Sequence, residues 1–231
     1  LRMAPLLIGR REIVVPGDLL AEGDLRPGDN VLREGDRIYA LKVGLVDLEG
    51  ERVSVVPLKG CYFPRPGDLV IGRIVEAGLT GWEVDILAPY PALLPMSETY
   101  TKGQASKTDL STIFSTGDLV MAKVIAFDRT RDPLLTAKGP GLGKAFGNRV
   151  VRISPMKIPR LIGRKGSMIT MLKRETGCRI IVGQNGVVLI SGRDDRAERA
   201  VVEAIYKIER EAHTQGLTDE IKEMVRKELG G

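Results

Sequence analysis

Aromatic residues and histidine are scarce in this sequence. Only 4% of its 231 residues are aromatic, so hydrophobic cores must be largely aliphatic, and surfaces on which nucleic acid bases stack must be few. The single histidine, His213, lies in a polar stretch at the end of a predicted helix. One histidine cannot form a two-histidine metal site, and its position favours a surface residue over a member of a catalytic triad.

Cysteine and long apolar runs are also limited. The two cysteines, Cys61 and Cys178, fall in different predicted modules, so they do not supply a four-ligand zinc site and instead favour a reducing compartment. No uninterrupted apolar run approaches the roughly 20 residues of a membrane span. The N-terminus shows no signal-peptide pattern. We therefore expect a cytoplasmic protein without a membrane partner.

Many acidic residues belong to a recurring turn motif. Pro-Gly-Asp occurs at residues 16–18, 27–29 and 66–68, and Gly-Asp recurs at residues 117–118. Proline fixes φ, glycine permits a tight bend and aspartate bonds to its own backbone, so these residues indicate turns. A magnesium-dependent nuclease needs clustered acids, which here only the three-dimensional fold could assemble. We expect no enzymatic activity and no cofactor.

A basic segment between two glycines carries the strongest functional signal. Ile162-Gly163-Arg164-Lys165-Gly166 lies between two apolar segments that are predicted to be helical. Glycine lets the backbone approach a ligand closely, and a helix predicted from about Ser167 points its unpaired N–H groups at the same place. The segment predicts a loop that holds the backbone of single-stranded RNA; the alternative is a purely structural glycine turn.

The segments around this loop follow a recognisable order. A strand is predicted at residues 150–153, then a short helix, the loop, a helix ended by Gly177, two strands joined by a turn at residues 184–186, and a helix from about Asp194. This order resembles the eukaryotic-type KH fold over residues 149–213.

Positive charge is concentrated in the same region. Residues 149–182 hold nine basic residues and one acidic residue, a net charge of +8, whereas the whole chain carries +5. This concentration favours a polyanionic ligand, although a solvated basic face would have the same composition. Lys157 and Arg160, which precede the loop, are therefore further candidates for RNA binding.

Two β-rich segments lie upstream, so the predicted fold is multidomain with β and α+β parts. Residues 1–60 predict a small antiparallel β module with strands at 13–15, 37–46 and 52–57. Residues 65–138 predict a five-stranded OB-type barrel, in which Gly-Asp-Leu-Val starts two of the strands.

The remaining segments complete the predicted organisation. Gly139–Gly143 is interpreted as a hinge or connector because it holds three glycines and a proline. Residues 148–231 form the KH domain and a last helix, which Thr218 is expected to cap.

The barrel resembles the RNA-binding OB domain first described in the ribosomal protein called S-one. Where that family displays aromatic residues and a histidine, this sequence has Thr80, Glu83 and Pro95. Trp82 is adjacent and is interpreted as a core residue or, alternatively, as a stacking surface. We therefore expect this barrel to contact RNA mainly through charge. Its candidate cations are Arg73, Lys102, Lys107, Lys123, Arg129 and Arg131.

The order of the three modules resembles the KH-containing RNA-binding cap subunit of the archaeal exosome. The matching segments are Ile13–Asp18, Pro66–Gly72, Ser97-Glu98 and Ile162–Gly166. The resemblance implies a non-catalytic subunit whose first module docks on a ring of ribonuclease-PH-like phosphorolytic subunits, with three copies in the cap. It also implies that single-stranded RNA is captured and its 3′ end guided into the ring for degradation or tailing.

Two other functions stay open at the level of sequence. One is a hydrolytic nuclease with an acidic site assembled by the fold. The other is a stand-alone transcription or translation factor built from the same RNA-binding modules, although bacterial factors of that kind carry two KH domains and this chain shows one such loop.

Overall fold

The structure is a computed structural model, and it falls into two compact units, residues 1–60 and residues 61–231. It describes residues 7–58, 60–99, 113–128, 130–211 and 216–230.

The first unit consists of two small sheets. Its strands are β1 (Ile13–Val14), β2 (Leu19–Glu22), β3 (Arg26–Pro27), β4 (Val31–Glu34), β5 (Arg37–Ala40), β6 (Gly44–Glu49) and β7 (Arg52–Pro57). One sheet has the order β1-β6-β7-β3 and the other β2-β5-β4. Valine, leucine, isoleucine and alanine side chains fill the core between them.

Two features of this unit differ from the prediction. The strand expected over residues 37–46 is interrupted at exposed residues 41–43, because β5 belongs to one sheet and β6 to the other. The module is also not purely antiparallel, since β3 pairs in parallel with β7 at Arg26 and Arg52.

Two of the three Pro-Gly-Asp motifs, at residues 16–18 and 66–68, form the predicted turn, and so does Gly117-Asp118. At residues 27–29 the structure differs, because Pro27 belongs to β3 and Gly28 donates its N–H to Val53 O at 2.7 Å. The carboxylate of Asp18 accepts a hydrogen bond from the backbone N–H of Val15 at 2.8 Å. The carboxylate of Asp68 accepts one from Arg65 at 3.2 Å, and the related Asp118 repeats the contact. Gly17, Gly67 and Gly117, which precede these three aspartates, have φ between 91° and 96°. Each carboxylate thus closes the turn that leads into a strand, which is a structural role.

The second unit begins with the barrel. Its strands are β8 (Leu69–Ala77), β9 (Gly81–Asp85), β10 (Ala92–Pro95), β11 (Leu119–Asp128) and β12 (Arg131–Thr136). The antiparallel order β10-β9-β8-β11-β12 is closed by a parallel pairing of Leu93 with Leu134. Within the described residues the barrel is therefore closed and five-stranded, as predicted.

Trp82 lies inside this barrel. Of the two interpretations of this residue, a core residue or a base-stacking surface, the structure therefore supports the core residue. Its side chain is 1% exposed, and its ring meets that of Phe114 edge to face at 5.1 Å. Its indole N–H donates to the carbonyl oxygen of Phe114 at 3.1 Å. A buried indole needs such a partner, so the position of Trp82 is fixed by the core.

The remainder of the unit is the KH domain with its last helix. Its elements are β14 (Arg149–Arg152), α1 (Ile158–Ile162), α2 (Ser167–Thr176), β15 (Arg179–Val182), β16 (Val187–Ser191), α3 (Asp195–Arg210) and α4 (Leu217–Leu229). The antiparallel sheet has the order β14-β16-β15, and the predicted succession of elements is confirmed. The expected cap is wrong, because α4 begins at Leu217 with Gly216 as its N-cap and no side chain caps it.

The barrel and the KH domain are joined by more than their connecting segment. After the glycine-rich stretch, β13 (Gly143–Lys144) pairs with β11 at Val120 and Met121. A separate apolar cluster combines Ile71 and Met121 of the barrel with Val187 and Leu189 of the KH sheet. The backbone N–H of Gln184 donates to Leu69 O at 2.7 Å. These contacts make the segment a connector within one packed body.

Candidate nucleic-acid interface

The glycine loop has the backbone conformation that its sequence requires. Gly163 has φ of 77° and Gly166 has φ of 79°, values that glycine adopts readily. A Cβ on Gly163 would lie 2.7 Å from the backbone nitrogen of Met168, whereas one on Gly166 would meet nothing closer than 3.8 Å. Gly163 is therefore needed for packing as well as for conformation, while Gly166 leaves open space above the loop.

The two cations of the loop are presented to solvent. Arg164 and Lys165 are both exposed, and Lys165 itself adopts a left-handed conformation with φ of 51°. A hydrogen bond from Gly166 N to Gly163 O, 3.1 Å long, closes the loop beneath them. The first turn of α2 has no side-chain cap, so its N–H groups add positive potential beside these cations.

An apolar surface lies next to this basic loop. Ile162, Ile169 and Val182 are half-buried and pack against the KH core, each from a different element. Because these side chains are partly accessible, bases can rest on them while the phosphates meet the loop. The arrangement suits a short stretch of single-stranded nucleic acid.

The predicted residues Lys157 and Arg160 lie immediately before the loop. Lys157 ends a short 3-10 turn over Pro155–Lys157, and Arg160 lies on α1; both side chains are half-buried. The predicted residues of the KH domain therefore lie on the turn before α1, on α1 itself and in the loop after it, from residue 157 to residue 166.

Some positive charge of the KH region is neutralised internally. Arg149 contacts the carboxylate of Asp195 and lies 3.3 Å from that of Glu198. Glu175 receives hydrogen bonds from Arg226 on α4, at 2.8 Å, and from Arg174. These two partners hold the pKa of Glu175 below its ordinary value, with Arg226 the larger cause. Because Asp195 and Glu198 lie outside residues 149–182, the +8 of that segment overstates the charge that the surface offers to a ligand; Glu175 is already counted in it.

The predicted cations of the barrel are more dispersed. Lys123 is exposed on β11, and Arg73 is exposed on β8. Arg131 starts β12 with a 79% exposed side chain that lies 3.9 Å from the carboxylate of Asp128. Three further predicted residues lie outside the described residues: Lys102, Lys107 and Arg129.

The barrel also carries an aromatic cluster that the sequence did not indicate. Phe63 lies before β8, Tyr90 between β9 and β10, and Phe127 near the end of β11. Their ring centroids are 5.2–6.4 Å apart. The three residues are distant in sequence and follow no motif, so only the closure of the barrel places them together.

The described residues offer neither a metal-ligand cluster nor a membrane-spanning helix. Residues 7–58, 60–99, 113–128, 130–211 and 216–230 contain no group of three or more histidine, cysteine or acidic side chains placed to hold a metal ion. No helix in these ranges is long and apolar enough to span a membrane.

Comparison with known proteins identifies the modules. Family profiles match residues 11–59 as the exosome RNA binding protein RRP4 N-terminal domain, residues 61–126 as the RRP4 S1 domain and residues 148–207 as a KH domain. The exosome complex component Rrp4 of Thermococcus kodakarensis is 47% identical over 230 residues, covering 98% of this chain and 90% of the relative. This chain belongs to the Rrp4 family. The family resemblance seen in the sequence is thereby confirmed.

A further relative and a solved structure are also similar to this chain over most of its length. Rrp4 of Thermofilum pendens is 44% identical over 223 residues, which are 95% of this chain and 94% of the relative. A crystal structure described as that of a candidate exosome complex RNA-binding protein is 40% identical, with a TM-score of 0.68. The match covers 74% of this chain and 98% of that one.

Proposed function

We propose that this Rrp4-family chain is a non-catalytic, cytoplasmic RNA-binding subunit of an exosome. It captures single-stranded RNA and guides the 3′ end into a phosphorolytic ring for 3′-to-5′ degradation or tailing. The observation that carries the proposal is the exposed pair Arg164 and Lys165, held between two glycines beside the apolar surface of Ile162, Ile169 and Val182.

The KH domain supplies the first contact with RNA. Arg164 and Lys165, together with Lys157 and Arg160, attract the phosphates, and the absence of a side chain at Gly166 lets the RNA backbone approach closely. Lys123 and Arg131 extend the positive surface on the barrel, and we also assign RNA contact to Lys102, Lys107 and Arg129. Holding the RNA raises the local concentration of its 3′ end at the ring, and this assistance requires no chemistry from the cap.

The first unit supplies a surface for docking on the ring of ribonuclease-PH-like subunits. Ile13, Leu45 and Val56 are cross-strand neighbours on the outer face of its larger sheet. Ile13 is 66% exposed and Val56 is 46% exposed. A contiguous aliphatic row on an exposed sheet marks a site of protein association. Three copies of the chain on one ring complete the proposed cap.

The RNA-binding role is tested with a variant that preserves the loop conformation. Arg164→Gln with Lys165→Asn removes both charges, keeps both glycines and places at residue 165 a side chain that tolerates the left-handed conformation. The measured quantity is the slope of the logarithm of the binding constant against the logarithm of the salt concentration. If both cations contact phosphates, the magnitude of this slope falls by about 1.4, at about 0.7 per contact on a single strand. The matched control is Arg210→Gln with Lys227→Gln, which removes two exposed cations from α3 and α4.

Unchanged affinity and unchanged salt dependence in the loop variant would exclude the KH loop as the RNA clamp. The partner is tested separately, by co-purification from native extract. Recovery of phosphorolytic ring subunits is expected, and their loss in Ile13→Asp with Val56→Asp would assign the docking face. Recovery of ribosomes or RNA polymerase without ring subunits would instead favour a stand-alone factor.

A further inference from the structure

The aromatic cluster of Phe63, Tyr90 and Phe127 is unusual for this protein. Phe63 is 56% exposed and Tyr90 is 44% exposed, in a chain in which only 4% of residues are aromatic. Phe63 meets Tyr90 at an interplanar angle of 84° and Phe127 at 68°. In an edge-to-face pair one face of one ring is covered, and the measured exposure of Phe63 and Tyr90 leaves other ring surface accessible to a planar ligand.

The cluster forms one wall of a cleft on the barrel. The volume of the cleft is about 660 Å³, and arginine, threonine and aspartate side chains also line it. These polar lining residues are Arg65, Asp128, Thr130, Arg131 and Asp132. Asp128 already accepts a hydrogen bond from the Thr130 hydroxyl at 2.6 Å, whereas the exposed carboxylate of Asp132 offers an acceptor to base N–H groups. An arginine that lines the cleft suits a phosphate.

We propose that this cleft binds a nucleobase of single-stranded RNA by stacking on Tyr90 and Phe63. The inference rests on the proposed RNA-binding function and adds a second site to it, away from the KH loop. This aromatic cleft is also distinct from a second cleft, which is lined by Thr80, Glu83 and Pro95 together with Trp82. The barrel thus binds a base without aromatic residues at those three positions.

The shape and chemistry of the cleft favour a base over a protein surface. The aliphatic row of Ile13, Leu45 and Val56 in the first unit lies on a sheet and offers no polar side chain of its own. The aromatic cleft is concave, and its lining combines ring faces with the hydrogen-bond acceptor Asp132 and the cations Arg65 and Arg131. That combination recurs where proteins hold single-stranded nucleic acid by stacking, which tolerates any base.

The test compares RNA affinity of the full chain and of the variants Phe63→Ala and Tyr90→Ala, by fluorescence anisotropy with a labelled single-stranded oligonucleotide. The matched control is Phe146→Ala, because Phe146 is 73% exposed and lies outside the cleft, between β13 and β14. Loss of a stacked base weakens binding about 5- to 150-fold. The slope of affinity against salt concentration stays unchanged, because no phosphate contact is removed.

An abasic oligonucleotide series provides the second measurement. One abasic position should weaken binding to the wild-type chain and have little further effect on Tyr90→Ala, since each change removes the same stacked pair. Tyr90→Phe should restore the affinity. Thermal unfolding of each variant shows that the fold is intact, as expected for exposed side chains.

The outcomes separate this inference from the proposed function. If the wild-type chain binds RNA, and the KH loop variant weakens that binding while Phe63→Ala and Tyr90→Ala do not, the stacking site is wrong and the proposed function stands. If these variants bind RNA normally but fail to recover ring subunits from extract, the cleft is a protein-docking site and the inference is overturned. If the wild-type chain binds no RNA, both are overturned.

Discussion

The side-chain amide of Asn185 pairs with both backbone groups of Ile71. Its nitrogen donates to Ile71 O at 2.9 Å, and its oxygen accepts from Ile71 N at 3.3 Å. The same nitrogen donates to Ile86 O at 3.0 Å, and Asn185 is 1% exposed. A turn of the KH domain is thus hydrogen-bonded to the backbone of the barrel, so the orientation of the KH domain relative to the barrel is fixed.

We expect Asn185→Ala to destabilise the second unit. The change leaves buried groups of Ile71 and Ile86 without partners, at a cost of about 1–3 kcal/mol for each group. Urea unfolding measures the loss, and amide hydrogen exchange at Ile71 should accelerate. Gln184→Ala is the control, because the contact of Gln184 with Leu69 uses its backbone. Equal stabilities of the two variants would contradict the assigned role of Asn185.

The two loop glycines should respond differently to substitution by alanine. Gly166 has the left-handed helical conformation (φ 79°, ψ 15°), which costs about 1–2 kcal/mol for an ordinary residue. Gly163 has φ of 77° and ψ of 173°, a region that is almost confined to glycine. Gly163→Ala adds a steric conflict with Met168, whereas Gly166→Ala has open space. Gly163→Ala should therefore be the less stable variant by denaturant unfolding. If Gly166→Ala proved equally unstable, the close packing around Gly163 would be wrong.

The KH domain was predictable because its signals are local. Gly163 and Gly166 stand at positive φ, Gly177 ends α2, and Asp194 caps α3 by accepting from the N–H of Arg196 at 3.1 Å. Each of these roles depends on residues within a few positions, so the sequence pattern was sufficient for them.

Contacts between distant segments were not predictable in the same way. Asn185 was interpreted as a turn residue, and it is one, but its side chain bonds to residues 99 and 114 positions away. Phe63, Tyr90 and Phe127 meet only because the barrel closes. The break at residues 41–43 likewise depends on distant contacts, because β5 and β6 pair with strands of different sheets.

Trp82→Phe should lower stability without changing RNA affinity. The substitution leaves the carbonyl oxygen of Phe114 without its indole partner and opens space in the barrel core, at a cost of about 1–3 kcal/mol. Thermal unfolding and oligonucleotide binding, measured below the unfolding transition, check the two parts. If the variant kept wild-type stability but bound RNA more weakly, Trp82 would be a base-stacking residue and not a core residue.

The last helix should be an integral part of the KH core. Leu217, Ile221 and Val225 are 0% exposed, and α4 packs on α2 and α3. Ile221→Ala therefore should cost about 2–5 kcal/mol in the free energy of unfolding, as for other large-to-small core changes. Glu223→Ala, an exposed change on the same helix, should have little effect. Near-wild-type stability of Ile221→Ala would mean that α4 is dispensable.

Glu198 should make the unfolding free energy depend on pH in the acid range. Its carboxylate is 4% exposed and accepts hydrogen bonds from Gly192 N at 2.7 Å and from the Asn148 amide at 2.5 Å. The N–H of Gly192, followed by Asn148 and Arg149, holds its pKa below the ordinary 4.5. The folded state favours the ionised form of Glu198. The stabilisation is therefore complete at pH values above the pKa of Glu198 in the unfolded chain, and it is lost as the pH falls through the lower pKa of Glu198 in the folded protein.

Glu198→Gln cannot ionise, so it should be less stable than the wild type near neutral pH. The difference between the two proteins should shrink as the pH is lowered from about 7 to about 3, since the wild-type carboxylate becomes protonated. Comparing the variant with the wild type at each pH cancels the contributions of other acidic residues that both proteins share. Glu203→Gln, an exposed change on the same helix, is the control. A difference that stays constant across this range would show that the ionisation of Glu198 does not stabilise the fold.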